Sequence, residues 1–280
     1  MLQEEFPTLD TFVTLSPLPT FRLWLENTIV EEQQRQQHAM DSPENSVDDD
    51  FTIPLLALDD FVHLMESGLI SASSNKSSDD TTMTHVDALS LLLERLDQEY
   101  MLQQEEALRH DQKYPSQPDG YEDDTADIAR LWNTHEDVLD PIFKKLVARY
   151  ILMETKKSSS SNKIRPYDGV AGFHLGNGAQ FYRINPAANL FPRTINAARP
   201  YYHNQNSSRL SWVQSWGIMV NYRYRLPLLV KNQEHFKQQH ASNSNRRSHR
   251  RIPVSKHIIS LVPSNLADTT IWVQDEHVTE

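Results

Sequence analysis

Phe21, Trp24, Leu25 and Ile29 recur at intervals of three and four, which places them on one side of a helix over Thr20–Ile29. A second stripe, Val86, Leu89, Leu92, Leu93, Leu96 and Tyr100, predicts a longer helix from Thr84 to about Leu108. Its opening, Thr84-His85-Val86-Asp87, is capping-box-like: a hydroxyl and an acid three residues apart serve each other's backbone amides. Asp127–Met153 continues the helical period in two parts, and a break is expected near Asp140-Pro141 because proline suits a first helical position. Ile142, Leu146, Arg149 and Tyr150 then share a face.

The texture changes at Pro166. Val170–Leu175 and Ala179–Asn185 read as two strands joined by Gly176-Asn177-Gly178, a strong short-range hairpin signal. Trp212–Leu226 returns to helical spacing through Trp212, Trp216, Met219, Val220 and Tyr224. Ile252–Val262 is apolar enough for a terminal helix and Thr269–Val273 for a short strand, while Thr11–Leu15 is a short β-favouring run. Helices first and a hairpin late predict an α+β fold, with helices packed on a mixed sheet.

Between these elements lie Glu31–Asp50, Glu66–Thr84, His110–Thr125, Lys156–Lys163 and Asn232–Arg251. All five are too polar to offset the entropy of ordering and read as solvated, disordered loops or insertions. They fit an apolar content of 38%, low for a folded chain. The net charge of −11 hides a split: residues 1–160 hold 12 Lys and Arg against 32 Asp and Glu, and residues 161–280 hold 15 against 6. A basic C-terminal part suits an anionic partner, and charge alone leaves nucleic acid, a phosphorylated cofactor and an intramolecular acidic partner open.

The absence of cysteine excludes a disulfide framework, a thiolate zinc site and a cysteine nucleophile. No run reaches the ~18 apolar residues of a membrane span, so no membrane insertion is expected. There is no Walker-type loop, dinucleotide fingerprint or His-Glu-x-x-His helix. His235, His240 and His249 sit in a basic, amide-rich stretch without carboxylates, which reads as solvated, and no metal is expected. Arg246-Arg247-Ser248-His249-Arg250-Arg251 has no recognition fold around it, so no nucleic-acid partner is expected.

Three places stand out on residue type alone, and each has a bland reading. His174, at the end of an expected strand, faces a pocket or is a hydrogen-bonded structural histidine. Ser16 in Leu15-Ser16-Pro17 starts a turn or caps the helix after it. Tyr222, Arg223 and Tyr224 read as a helix surface with one buried aromatic. Residue physics does not join these parts into a site.

A resemblance does. Val170-Ala171-Gly172-Phe173-His174-Leu175-Gly176-Asn177-Gly178-Ala179 with Arg183-Ile184-Asn185 resembles a signature of the malonyl-CoA decarboxylase family. Gln214-Ser215-Trp216-Gly217-Ile218-Met219-Val220-Asn221-Tyr222-Arg223-Tyr224 resembles a second, and Leu2-Gln3-Glu4-Glu5-Phe6-Pro7 with Phe12, Leu15-Ser16-Pro17 and Pro19 a third. The three occur in the family's order.

The resemblance implies that the chain, residues 1–280, is the C-terminal part of a catalytic domain with a partial acetyltransferase-like (GNAT-type) fold. The implied reaction is malonyl-CoA to acetyl-CoA and carbon dioxide in fatty-acid metabolism, with the coenzyme A thioester as substrate and no cofactor. The family's catalytic serine matches Ser16 as proton acceptor, its histidine matches His174 as proton donor, and a supporting tyrosine matches Tyr224. Implied substrate contacts are Ser16, His174, Asn177 and Arg183, with Arg193 and Arg223 as further candidates for phosphate.

The sequence also departs from the family. Its N-terminal helical domain, first strands, pyrophosphate-cradling glycine turn and a catalytic glutamate have no counterpart, so the chain is expected to be N-terminally incomplete. Residues 31–125 read as an acidic insertion with helical segments, residues 232–251 as a basic low-complexity loop, and Arg199–Leu210 as extra. A catalytically inactive family member that binds coenzyme A weakly, or acts only by association, is the alternative. A serine hydrolase would need a nucleophile elbow where Leu-Ser-Pro stands. The ends carry neither a secretory signal nor a peroxisomal address. Cytoplasmic and mitochondrial placement both stay open, as does a homo-oligomer.

Overall fold

A computed structural model describes residues 8–41, 54–71, 83–113, 127–157, 164–189, 214–241, 252–263 and 271–274. Two compact units are formed, one of Met1–Arg22, Phe143–Asn189 and Ser208–Glu280, the other of Leu23–Ile142 and Leu190–Ser207.

The β-favouring run becomes strand β1 (Thr11–Pro17), and the Phe21 stripe becomes helix α1 (Phe21–Asp41). Phe21, Trp24, Leu25 and Ile29 are all buried, and the helix continues into the stretch read from sequence as solvated. In the second unit α2 (Leu58–Glu66), which the sequence reading missed, precedes α3 (His85–Lys113). Phe61 of α2 stacks on His85, whose Nδ1 donates to the Leu56 carbonyl at 3.0 Å.

The capping box forms as its residue types predict. Thr84 N and Oγ1 donate to Asp87 Oδ2 at 3.1 and 2.9 Å, and Asp87 N donates to Thr84 Oγ1 at 3.2 Å. All six residues of the α3 stripe are buried.

Asp127–Met153 does form two helices, α4 (Asp127–Thr134) and α5 (Glu136–Met153), but the break falls at His135 and Pro141 lies within α5. The His135 amide reaches back to the Leu131 and Trp132 carbonyls, and the Trp132 indole N–H donates to Asp140 Oδ1 at 3.0 Å. Those bonds close one helix and join it to the next before the proline is reached.

The first unit holds the sheet. A two-stranded ribbon, β2 (Thr155–Lys157) and β3 (Ile164–Pro166), leads into α6 (Gly169–Gly176), then β4 (Gln180–Asn185) and β5 (Met219–Arg225). A 3-10 turn at Leu226–Leu228 leads to α7 (Leu229–Ala241), β6 (Ile252–Val254), α8 (Lys256–Ile259) and β7 (Ile271–Val273). The five-stranded order is β1-β5-β4-β6-β7. The β1–β5 and β5–β4 pairs are antiparallel, and β4–β6 and β6–β7 are parallel. This is the mixed sheet with packed helices that the sequence predicts.

Four local expectations are corrected. Val170–Leu175 is helical, so no hairpin forms at Gly176-Asn177-Gly178. Asp168 caps α6 by accepting from the Ala171 amide at 2.8 Å, a strong helix start. Gly178 ends it at φ +85°, where an added Cβ would collide with the Leu229 carbonyl oxygen, so the glycine is required by conformation and by packing.

Second, the described part of Trp212–Leu226, residues 214–226, is not one helix: after residues 214–215 the chain turns through positive φ at Trp216 and Gly217, and β5 follows. Third, residues 232–241 of the expected basic loop lie in α7, anchored where the buried Asn232 donates from Nδ2 to the Gly178 carbonyl at 2.9 Å. Fourth, Ile252–Val262 opens as a strand and is helical only over Lys256–Ile259. The serine run at 158–161, the 242–251 part of the basic loop, Arg193 and Arg199–Leu210 lie outside the described residues.

Candidate active site

Ser16, His174 and Tyr224 come from three separate elements and meet in one hydrogen-bonded row. β1 pairs with β5 so that Phe12 stands opposite Tyr224, Thr14 opposite Tyr222 and Ser16 opposite Val220. Directly paired residues share a face, so Thr14, Ser16, Tyr222 and Tyr224 look out on the same side. α6 covers that side and brings His174. Its Nε2 is 3.0 Å from Ser16 Oγ, and its Nδ1 is 2.6 Å from the Tyr224 hydroxyl.

The imidazole lies flat on the Tyr222 ring, centroids 4.4 Å apart and planes 15° from parallel. Tyr224 meets it edge-on at 5.9 Å. Phe181 of β4 backs Tyr222 at 6.0 Å, and both are fully buried. The ring is thus set in plane by stacking and in rotation by a hydrogen bond at each nitrogen.

Ser16 Oγ is 3.2 Å from Thr14 Oγ1, which is 3.5 Å from the Tyr222 carbonyl oxygen, at the limit of a hydrogen bond. Each hydroxyl has one proton to give, and either nitrogen of the neutral ring can carry its proton. If Thr14 spends its proton on the carbonyl, every contact is used when Ser16 donates to Thr14, His174 Nε2–H to Ser16 and Tyr224 O–H to Nδ1; the opposite order gives up one of the two long Thr14 contacts. Burial pushes the Tyr224 phenol above its usual range, which keeps that proton in place, and burial lowers the His174 pKa, which favours the neutral ring. In the first of these orders the serine is not deprotonated by the histidine, as a serine nucleophile would require.

The helix carrying His174 is fixed from below. Tyr150 of α5 donates to Asp168 Oδ2 at 2.9 Å and is 2.6 Å from the Thr20 hydroxyl. Asp168 Oδ1 holds the α6 amide. Asp168 is buried, which raises its carboxyl pKa, and the Tyr150 phenol is raised far above its usual range for the same reason.

Asn177 and Arg183 do not join the row. Asn177 is exposed at the end of α6, its amide bonded back to the Phe173 and His174 carbonyls. Arg183 is exposed and paired with Asn221, one residue out of step with Val220 and Tyr222, and so on the other face. Arg223 is engaged within the sheet: Nε donates to Gln180 Oε1 at 2.8 Å and the guanidinium lies over the Tyr182 ring. Tyr222, Thr14, Tyr150 and Asp168 are the residues that sequence reasoning missed. Alternation of Val220, Tyr222 and Tyr224 was the signal that could have found the first.

Among the described residues no cluster of three His, Asp or Glu could hold a metal ion, and no helix is long and apolar enough to cross a membrane.

The chain matches the model of the malonyl-CoA decarboxylase C-terminal domain over residues 1–118 and 117–205. Ser16 and His174 fall inside the match and Tyr224 beyond it. No curated protein matches. Among solved structures, malonyl-CoA decarboxylase from Rhodopseudomonas palustris is 22% identical with a TM-score of 0.47, covering 94% of this chain and 35% of that one. The enzyme from Cupriavidus metallidurans is 20% identical with a TM-score of 0.42, covering 93% and 40%. That from Agrobacterium vitis is 22% identical, also with a TM-score of 0.42, covering 93% and 37%. The chain thus spans 35–40% of the length of these proteins.

Proposed function

The chain belongs to the malonyl-CoA decarboxylase family, and from that premise we propose that it converts malonyl-CoA to acetyl-CoA and carbon dioxide, with Ser16, His174 and Tyr224 carrying the chemistry. The observation that supports this reading best is the row Tyr224–His174–Ser16, which holds the imidazole by a hydrogen bond at each nitrogen; in our reading the Nε2 proton faces the serine. We also read the sheet and its helices as acetyltransferase-like, and the reaction as one of fatty-acid metabolism.

Loss of carbon dioxide breaks the bond between the carboxylate and the α-carbon. Its electron pair passes into the thioester as an enolate. The thioester carbonyl is itself the electron sink, so the step calls for hydrogen-bond donors at the developing oxyanion and then for a proton at carbon. The Ser16 hydroxyl and His174 Nε2–H become such donors when the thioester oxygen displaces their bonds to Thr14 and Ser16. The substrate's carboxylate brings a negative charge that raises the pKa of the imidazole and offsets its desolvation. The ring then takes up a second proton and passes the one on Nε2 to the α-carbon. Tyr224 serves both states, since a phenol donates to neutral Nδ1 and accepts from protonated Nδ1. The basic residues of the C-terminal part draw in the polyphosphorylated substrate.

The test is formation of acetyl-CoA from malonyl-CoA by the purified chain, with Ser16→Ala and His174→Asn beside it. Turnover is expected to fall about 10²- to 10⁴-fold in His174→Asn with KM little changed. No turnover above background in the wild type, or equal loss of binding and turnover in the variants, overturns the assignment.

A further inference from the structure

β2 and β3 pair so that Lys156 stands directly opposite Arg165. Like charges in that position destabilise a two-stranded ribbon, which is already the least self-supporting kind of sheet. Among the described residues no carboxylate forms an ion pair with either of them, or with Lys237 of α7. All three cations line one cleft of about 720 Å³, a volume in the range of small-molecule sites. Lys156 is partly compensated by the charge of Asp168 and by the Tyr167 ring under its ammonium; three cations on one cleft against that single acid still leave an excess of positive charge that suits an anion from outside the chain.

The rest of the lining says what kind of anion. Phe173 is 64% exposed, a large apolar ring left open to solvent, and it lies in the cleft with Pro166, Gly172 and Phe236. An inorganic ion has no use for such a floor; a ligand with an apolar or planar body does. Asp168 is the acid on the lining; its oxygens are taken by the Ala171 amide and the Tyr150 hydroxyl, and its charge acts on Lys156. Ser16, His174 and Tyr224 do not line the cleft, which lies along the Gly169, Gly172, Phe173 and Gly176 side of α6.

We propose that this cleft binds an organic phosphate, its phosphoryl group held by Lys156, Arg165 and Lys237 and its apolar or planar part lying on Phe173. Arg165 supplies a planar fork suited to two phosphate oxygens, and the two lysines supply point charges. Two sources share this chemistry: a free nucleotide, and the nucleotide end of a coenzyme A thioester. The cleft is defined by residues outside the Ser16–His174–Tyr224 row, and only the coenzyme A source rests on the decarboxylase reading.

Isothermal titration of the whole chain tests it, with ADP, inorganic phosphate and coenzyme A as probes. ADP is expected to bind one to one. Arg165→Glu and Lys237→Glu should each weaken it about tenfold or more, the loss of a charge-assisted contact. Phe173→Ala should weaken ADP while leaving the weaker binding of inorganic phosphate unchanged. Circular dichroism checks each variant, and exposed Lys237→Ala on α7 stands in should a ribbon variant not fold. Coenzyme A weakened by the same reversals identifies the substrate's own nucleotide as the ligand; coenzyme A unaffected while ADP is weakened identifies a free nucleotide. Failure of both ADP and coenzyme A to saturate at millimolar concentration overturns the proposal, as does ADP binding that neither charge reversal alters.

Discussion

Replacing Tyr224 by phenylalanine removes one oxygen and leaves the ring in its edge-on contact with His174, so the variant isolates the hydrogen bond to Nδ1. That bond is 2.6 Å long and part-buried, and its net worth to folding should be about 1 kcal/mol. The effect on the ring is larger in consequence. With the phenol gone, water at Nδ1 donates or accepts equally well, and the proton is no longer confined to Nε2. If the Nε2–H is the group that meets the enolate, kcat should fall about tenfold to a hundredfold, part of what a general acid supplies, while KM changes little.

Nitrogen NMR of histidine-labelled protein reads the tautomer without any substrate. In the wild type His174 Nδ1 should be unprotonated and Nε2 protonated, and in Tyr224→Phe the two forms should mix. Finding the proton on Nδ1 in the wild type would show that the row runs the other way, from serine to histidine. That would remove the argument for His174 as the donor.

Three more outcomes follow from the same packing. Burial lowers the His174 pKa below its ordinary 6.5, so the unfolded chain takes up the proton first as pH falls; stability is full above that value and declines below it until the folded ring titrates. Tm recorded from about pH 7.5 down to 5 should show this fall, and His174→Asn should flatten it. Asp168→Ala removes the α6 cap and leaves the buried Tyr150 hydroxyl without its acceptor, which together should cost roughly 2–4 kcal/mol in urea unfolding; a loss under about 1 kcal/mol would mean α6 is held by other contacts. Tyr222→Phe keeps the stack on His174 and deletes a buried hydroxyl that has no hydrogen-bond partner among the described residues, so stability should be unchanged or rise by about 1 kcal/mol. A clear loss would reveal a partner for that oxygen.

The first half of the chain was legible because its apolar stripes are long. The spacing from Val86 to Tyr100 spans four turns, and no strand accounts for it; every residue of the stripe is buried. Even the cap could be read, since Thr84 and Asp87 need only each other. The acidic and amide-rich end of α1 was not legible, because propagation from a nucleated apolar turn carries a helix into residues that bury nothing. In the second half the runs are short, and a short apolar run fits a strand or a helix equally well. At Val170–Leu175 two signals competed: Gly-Asn-Gly suggested a hairpin, while Asp168 before the run and Gly178 after it marked helix ends. Packing decided for the caps, since the Asp168 carboxyl is held by Tyr150 and Gly178 is pressed against Leu229.

The site was legible only as far as a resemblance carried it. Ser16 and His174 are 158 residues apart, and no local pattern links a Ser-Pro pair at the end of a strand to a histidine in an apolar run. Once β1, α6 and β5 are in place the link is short, and what hid its remaining members was a single choice of period. Read as a helix, Tyr222 and Tyr224 point about 200° apart, so one is core and the other surface. Read as a strand, residues two apart share a face. Then Tyr222 becomes the platform under the imidazole and Tyr224 the donor at its edge. The pairing of β1 with β5 adds Thr14 beside Tyr222 by register alone. The same argument separates Arg183 and Arg223 from the row: they lie on alternate positions and so on the opposite face, however basic that part of the chain is. Period is thus a statement about chemistry as much as about fold, because it decides which side chains can share a proton.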